Sequence, residues 1–252
     1  MRDRILDWYR FQRGARSGTG AAMEPVPSRE FAAALVDLAE QCACPISLSQ
    51  AEACRHYSEL LLTWNLRVNL TRITAPEDLL AKHLLDAIIP TRWLPVRGRA
   101  LDLGSGAGVP AIPIQIVRPE LHFTLLERLR KKVSFLKVCI AQLELKNAGV
   151  VQSRWQDYAA AAAHERFDLI TARALKPSPE LLTRVSATRL GAGGRFALWA
   201  GPTGSEADFR KLPGPASSLK LRSIHDYRLP YQAGIRRLVV WEKLGAAGCY
   251  TG

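Results

Sequence analysis

Residues 99–120 have the sequence RALDLGSGAGVPAIPIQIVRPE, which joins a short apolar run to a group of glycines. The apolar run at residues 99–103 predicts a buried strand, and the run at residues 109–117 predicts a helix after it. Three glycines at alternate positions lie between the two runs, namely Gly104, Gly106 and Gly108. Without a Cβ, glycines allow main-chain N–H groups to come close to a ligand. The stretch therefore predicts a ligand-binding loop between a strand and a helix.

Two carboxylates flank this loop and narrow the choice of ligand. Asp102 precedes Gly104 by two residues, and Glu127 ends the next predicted strand. A negative charge at Asp102 would repel a pyrophosphate, and it suits a cationic ligand such as the amino group and sulfonium of S-adenosylmethionine. Glu127 can accept hydrogen bonds from both hydroxyls of an unphosphorylated ribose. The pattern favours S-adenosylmethionine over a dinucleotide, and the alternative is a tight glycine turn beside an exposed acid.

The rest of the chain predicts an α/β fold with a helical N-terminal part. From Gly98 onward seven β-rich runs alternate with helical ones, which is typical of a doubly wound parallel sheet covered by helices on both faces. The last two runs are separated only by YQAGI and predict an antiparallel hairpin at one edge. A helix that opens at Pro76-Glu77-Asp78 is predicted to stop at Pro90. The predicted parts are a poorly ordered leader at 1–27, the helical part at 28–97, a Rossmann-like domain at 98–244 and a tail at 245–252.

The composition favours a polyanionic partner. Lys and Arg number 35 against 23 Asp and Glu, a formal net charge of +12. Such an excess favours nucleic acid first and an anionic membrane surface second, with a solvated basic surface as the alternative. No stretch approaches the roughly 20 apolar residues of a membrane-spanning helix. The five cysteines are scattered and have no zinc-ligand spacing, so we expect no metal site. We expect a cytoplasmic monomer.

Several segments together resemble a known family, the bacterial 16S ribosomal RNA (guanine-N7) methyltransferases, also called the glucose-inhibited division protein B family. They are LDLGSGAGVPAIPIQIVRPELHFTLLERLRKKVSFL, ELLLTWNLRVNLTRIT, LLAKHLLDAI, FDLITARAL and RRLVVWEK. The resemblance extends over about residues 28–244. It implies a class I S-adenosylmethionine-dependent methyltransferase fold with seven strands and an antiparallel last strand. It also implies S-adenosyl-L-methionine as cofactor, and 16S ribosomal RNA or the small ribosomal subunit as partner.

The resemblance also assigns site residues. With the loop residues considered above, the predicted cofactor-binding residues are Asp102, Gly104, Ser105, Gly106, Gly108, Val109, Glu127, Trp155, Gln156 and Arg173. Of the predicted RNA-binding residues, Lys82 and His83 match a family motif. The others are predicted from their position just after Glu127, with a plain solvated helix turn as the alternative: Arg128, Arg130, Lys131 and Lys132. The chain departs from the family pattern at three positions, where the family usually has Ser, Glu and Lys: Ala87, Gln156 and Ala200.

Guanine N7 has a free lone pair, so its methylation needs in-line placement in a dry cleft more than a strong base. We therefore expect Arg173 and His83 to lie near the target base without a dedicated general base. The alternatives are a packing role for His83 and a structural ion pair for Arg173. Two other functions stay open at this point. One is a methyltransferase of a small molecule or protein, which would not need the positive charge. The other is a non-enzymatic RNA-binding protein, which would not need the loop and Glu127.

Overall fold

The protein is described here by a computed structural model covering residues 28–161, 165–175, 177–201, 203–215, 217–232 and 234–245. The predicted leader at 1–27, the tail beyond Gly245 and Cys249 lie outside the described residues. In the described ranges, none of the helices has the length and apolar character that a membrane span requires.

The N-terminal part begins with two helices, α1 (Ser28–Gln41) and α2 (Leu48–Asn65). Helix α2 starts with a capping box, in which the Ser47 hydroxyl accepts from the Gln50 N–H and the Gln50 side chain accepts from the Ser47 N–H. Its buried face follows the spacing of three and four in the sequence, because Ala51, Cys54 and Tyr57 are all fully buried. The two helices pack against each other.

The next helical segment is irregular. It consists of a first turn α3 (Pro76–Asp78), a π-helical stretch at Leu79–Leu85, a turn α4 (Asp86–Ile88) and a 3₁₀ turn at Ile89–Trp93. The α-helical part ends at Ile88, close to the predicted stop at Pro90, and the chain passes Pro90 as a 3₁₀ turn. Pro90 lies in the first turn of that 3₁₀ segment, where its missing N–H is not needed.

Seven strands form one sheet in the order β3-β2-β1-β4-β5-β7-β6. Strand β7 is antiparallel to both of its neighbours, and the other pairs are parallel. The strands are β1 (Gly98–Leu103), β2 (Leu121–Glu127), β3 (Ala148–Gln152), β4 (Phe167–Arg173), β5 (Leu190–Ala200), β6 (Leu219–Tyr227) and β7 (Arg236–Lys243). The predicted fold class and terminal hairpin are confirmed.

In the described parts of the connections, five helices join these strands: α5 (Ala111–Val117), α6 (Arg130–Gln142), α7 (Trp155–Ala160), α8 (Pro179–Arg189) and α9 (Glu206–Lys211). Helices α7 and α9 have six residues each and were not predicted from the sequence. Neighbouring residues of a strand point to opposite faces of the sheet, so Ala100 and Leu101 belong to different hydrophobic clusters. The N-terminal helices, α5 and α6 share the cluster of Ala100. This packing fixes the N-terminal part on one face of the sheet.

Candidate active site

The glycine loop leaves the carboxyl end of β1 and is held against β2. The N–H groups of Gly104 and Ser105 both donate to the Leu126 carbonyl, at 2.9 and 3.0 Å. Gly104, Gly106 and Gly108 have φ values of +72°, +55° and +87°, which glycine adopts without steric cost. The sharp turn of the loop therefore depends on glycine at all three positions.

The glycines differ in what surrounds them. A Cβ at Gly108 would lie 2.6 Å from the Ile112 Cδ1 atom and 3.2 Å from Leu136 Cδ2. A Cβ at Gly104 would meet no atom within 4 Å. Gly108 thus allows close packing of the loop on α5 and α6, whereas Gly104 leaves open space.

Glu127 ties the glycine loop to the start of α6. Its Oε2 atom accepts from the Gly106 N–H at 3.0 Å, and its Oε1 atom accepts from the Leu129 N–H at 2.8 Å. A carboxylate has about four acceptor positions, so each oxygen keeps capacity for one further donor. The side chain can therefore hold the loop and still accept hydrogen bonds from ribose hydroxyls.

A cleft of about 390 Å³ opens at this end of the sheet. It brings together four of the predicted cofactor-binding residues, Gly104, Glu127, Trp155 and Gln156, and the predicted RNA-binding residue Arg128. The sequence reasoning missed other residues that line the cleft, namely Leu103, Leu126, Ser153, Arg154 and Leu175. Ser153 and Arg154 could have been predicted from their position in the chain, because they directly precede Trp155. The other predicted cofactor residues do not line this cleft.

Asp102 lies beneath the loop as a buried carboxyl group. It is 1% exposed, and its Oδ1 atom accepts from the Thr171 hydroxyl of the neighbouring strand at 2.6 Å. Its Oδ2 atom has no hydrogen-bond partner among the described residues. Burial raises the pKa of Asp102 from 3.8 to about 6, against the opposing effect of the Thr171 hydrogen bond. An ionised carboxylate with an unused oxygen fits a cationic ligand.

Arg173 at the end of β4 joins the sheet to the π-helical stretch. Its Nη2 atom donates to the Lys82 carbonyl at 2.7 Å and lies 3.1 Å from the Asp86 carboxylate. Asp86 in turn accepts from the Tyr227 hydroxyl at 2.7 Å, and its carbonyl accepts from the Trp199 indole N–H at 2.7 Å. The Arg173 Nη1 atom has no partner among the described residues. The Nη2 nitrogen is thus anchored, and the Nη1 nitrogen is buried without a hydrogen-bond partner among the described residues.

His83 is a buried, neutral side chain. It is 6% exposed, and its Nε2 atom lies 2.9 Å from the Thr71 hydroxyl. Burial first and the Arg173 charge second lower the pKa of His83 to about 3. These contacts match the packing alternative, because a neutral buried imidazole cannot contribute positive charge near neutral pH.

The predicted RNA-binding cations lie at the same end of the sheet. Arg128, Arg130 and Lys131 are exposed and Lys132 is half-buried, at the start of α6. Cations in the first turn of a helix face the positive end of its dipole, which is unfavourable for the helix alone. This placement therefore favours an anionic partner over a solvated surface. Lys82 differs from the others, because its ammonium group pairs with Asp78 at 2.9 Å.

We expect Tyr227→Phe to lower the free energy of unfolding by about 2 kcal/mol, because the buried Asp86 carboxylate loses one donor. Tyr158→Phe is the matched control, since its hydroxyl donates to the more exposed Glu165. We expect that change to cost less than about 1 kcal/mol. Urea unfolding at pH 7 measures the free energy of unfolding of both variants. Equal losses would contradict the larger contribution expected from the buried hydrogen bond between Tyr227 and Asp86.

Comparisons with known proteins agree with this geometry. Residues 50–212 match the family described as rRNA small subunit methyltransferase G, or GidB. The chain is 42% identical over 207 residues to ribosomal RNA small subunit methyltransferase G 1 of Syntrophobacter fumaroxidans, covering 79% of this chain and 91% of that protein. It is 35% identical over 207 residues to ribosomal RNA small subunit methyltransferase G of Sodalis glossinidius, covering 82% of this chain and 96% of that protein. The matches confirm the family resemblance.

The structure is also similar to a solved one. The Methanococcus jannaschii fibrillarin pre-rRNA processing protein superposes with a TM-score of 0.50 at 19% identity, covering 68% of this chain and 77% of that chain. At this identity the likeness concerns the fold. The overall fold is thus similar to that of a protein of distant sequence.

Proposed function

The chain belongs to the rRNA small subunit methyltransferase G family, and on that basis we propose that it methylates N7 of a guanine in 16S ribosomal RNA. S-adenosyl-L-methionine is the proposed methyl donor. The observation that carries the proposal is the glycine loop, with Glu127 bonded to it and the Asp102 carboxylate beneath it.

The residues at the loop fit S-adenosylmethionine, which supplies a methyl group on a sulfonium when bound. Glu127 would hold the ribose hydroxyls, because its oxygens keep acceptor capacity. The main chain at Trp155 and Gln156 would hold the adenine across the cleft. The unused oxygen of Asp102 would favour the cationic part of the cofactor. The open space at Gly104 leaves room for a ligand against the backbone.

Positioning is the proposed source of catalysis on the acceptor side. Guanine N7 needs no prior deprotonation, and His83 is neutral and buried. Arg173 is the proposed neighbour of the target base, with its guanidinium anchored on Asp86 and the Lys82 carbonyl. Arg128, Arg130, Lys131 and Lys132 are the proposed phosphate contacts. The protein would act as a cytoplasmic monomer on 16S RNA, free or in the small subunit.

The direct test is methyl transfer from labelled S-adenosylmethionine to unmodified 16S RNA and to small subunits that lack the modification. We expect label on a guanine whose N7 methylation is mapped by chemical strand scission. Methylation of another base or atom would overturn the proposed acceptor. Failure to bind S-adenosylmethionine in calorimetry would instead favour a non-enzymatic RNA-binding protein. Transfer to a small molecule or protein but not to RNA would favour the remaining alternative.

We expect the affinity for S-adenosylmethionine to fall as the pH drops below about 6, the pKa of Asp102. A cationic ligand favours the ionised carboxylate, so binding below this pH must release a proton, which costs about tenfold in affinity per pH unit. The raised pKa of Asp102 has the opposite effect on the stability of the free protein, which increases as the pH falls. Folding takes up a proton between about 6 and 3.8, so the Asp102 contribution to stability grows as the pH falls through that window.

Calorimetry between pH 5 and 7.5 measures this pH dependence. Asp102→Asn is the matched control, because it removes the titrating group while keeping a similar shape. We expect the variant to bind S-adenosylmethionine more weakly at pH 7.5 and with little change down to pH 5. A variant that keeps the wild-type pH dependence would exclude Asp102 as its source.

A further inference from the structure

A second cavity lies beside the cofactor cleft, between the end of α2 and the start of α6. It has a volume of about 520 Å³, and its lining includes Trp64, Leu66, Arg67 and Lys131. We propose that this cavity, called here the α2–α6 groove, binds an unpaired nucleotide of the RNA strand that carries the target guanine. The proposal rests on the proposed function and adds a binding site outside the cofactor cleft.

The apolar side chains of the groove are more exposed than side chains that only pack in the core. Leu66 is 75% exposed, more than any other large hydrophobic side chain in the described part of the chain. Trp64 is half-buried, and its ring lies 5.9 Å from the Phe135 ring, tilted by 56°. Phe135 thus supports Trp64 from within the core. Aromatic and apolar surfaces held in this way are typical platforms for unstacked bases.

The charge of the groove selects an anionic ligand. Arg67 and Lys131 are both exposed, and in the described ranges neither side chain forms an ion pair or a hydrogen bond. The lining contains no acidic residue. Two free cations beside an apolar surface match a ligand that combines phosphates with aromatic bases. A single-stranded nucleic acid has this chemistry.

Hydrogen bonds hold the groove in place, and one of them ties α2 to the glycine loop of the cofactor cleft. The Tyr57 hydroxyl of α2 donates to the Ala107 carbonyl of the glycine loop at 2.6 Å. The Asn65 side chain accepts from the N–H groups of Leu70 and Thr71, at 2.9 and 3.0 Å, which holds the segment after Leu66. On the other side, Lys131 lies three residues after Arg128, which lines the cofactor cleft.

These contacts make the groove a preformed site, so an RNA strand would lose little affinity to ordering of the protein. An RNA strand whose guanine enters the cofactor cleft past Arg128 would also reach Lys131 in the first turn of α6. The neighbouring nucleotide would then place its base on Trp64 and Leu66, with phosphates at Arg67 and Lys131. Unpaired nucleotides suit this arrangement, because bases in a duplex cannot leave their stack without cost.

The test compares two double variants of the full chain. Arg67→Ala/Lys131→Ala removes the charges of the groove, and Arg97→Ala/Lys146→Ala removes two exposed charges at the opposite, amino end of the strands. Leu66→Ser changes the apolar surface without changing charge. Binding of a 16S RNA transcript is measured between 50 and 300 mM salt by fluorescence anisotropy, with S-adenosylmethionine affinity from calorimetry as the folding control.

We expect the groove double variant to weaken RNA binding about tenfold at about 0.1 M salt and to reduce the salt slope by about 1.4, as for two phosphates of a single strand. Leu66→Ser is expected to weaken binding by about threefold or more with the slope unchanged, because the apolar contact of Leu66 with a base is not screened by salt. The control double variant should change affinity by less than about twofold at this ionic strength. S-adenosylmethionine affinity should stay at the wild-type value in all three.

Two results would overturn the groove while leaving the proposed function intact. One is wild-type methylation with equal RNA affinity for the groove and control double variants. The other is groove variants that bind the transcript normally but no longer methylate assembled small subunits, which would assign the groove to a protein partner. Wild-type protein that neither binds nor methylates RNA would instead refute the proposed function.

Discussion

Gly108→Ala is expected to destabilise the protein by about 3 kcal/mol, from the sum of left-handed backbone strain and overpacking. The added Cβ would lie 2.6 Å from the Ile112 Cδ1 atom. Ile112 is 1% exposed, so its side chain is enclosed in the core and would have to shift against its neighbours. At φ +87° the alanine also adopts a conformation that L residues avoid. Urea unfolding followed by circular dichroism measures the loss.

Gly104→Ala is the matched control, because it has a similar positive φ without the packing contact. We expect it to cost only about 1 kcal/mol, the strain of the backbone. Its Cβ would project into open space at the edge of the cofactor cleft, which Gly104 lines. S-adenosylmethionine affinity should therefore fall by about tenfold or more, which corresponds to about 1.4 kcal/mol. Equal stability losses in the two variants would contradict the packing role of Gly108.

Most of the fold could be predicted from the sequence because its main elements have strong local patterns. The alternation of buried runs and amphipathic helices predicts the parallel sheet, and the short connection before β7 predicts the hairpin. Helices α7 and α9 were missed because six residues cover less than two helical turns. A periodic apolar pattern cannot show itself over that length.

The π-helical stretch could not be predicted from the local sequence, because it takes part in a contact with a distant part of the chain. The sequence LLAKHLL suits an ordinary α-helix. In the structure the Lys82 carbonyl accepts from Arg173, 91 residues away, so one main-chain acceptor is used outside the helix. Such tertiary contacts leave no trace in local periodicity. π-helical turns of this kind are often found at functional sites.

The candidate site, like the fold, has parts that could be predicted from the sequence and parts that could not. Gly104 and Glu127 could be placed from the sequence because each lies at the carboxyl end of a recognisable strand, and parallel strands bring these ends together. The network of Asp86, Arg173 and Tyr227 could not, because the Tyr227 contact spans 141 residues. The roles assigned to Arg173 and His83 stay predictions, and the buried position of His83 favours a contact that positions the site over proton transfer.

Glu127→Ala is expected to weaken S-adenosylmethionine binding about a hundredfold, or about 2.7 kcal/mol. The carboxylate is the acceptor for the N–H groups of both Gly106 and Leu129, and hydrogen bonds to a charged group contribute about 1.5–3 kcal/mol each. Its removal frees the glycine loop from the start of α6 and also takes away the proposed acceptor for the ribose hydroxyls. Calorimetry with S-adenosylmethionine measures the change, and thermal unfolding shows how much of it comes from the fold.

Glu127→Gln separates charge from shape. The amide keeps one acceptor oxygen, but its NH₂ group would face one of the two backbone donors, so one hydrogen bond is lost. We expect an intermediate loss of about tenfold, or about 1.4 kcal/mol. Glu120→Gln is the control, because Glu120 is exposed and lies at the amino end of the strands, away from the cleft. We expect this variant to bind S-adenosylmethionine as the wild type does. If Glu127→Gln also bound like the wild type, one acceptor oxygen would be enough at this position.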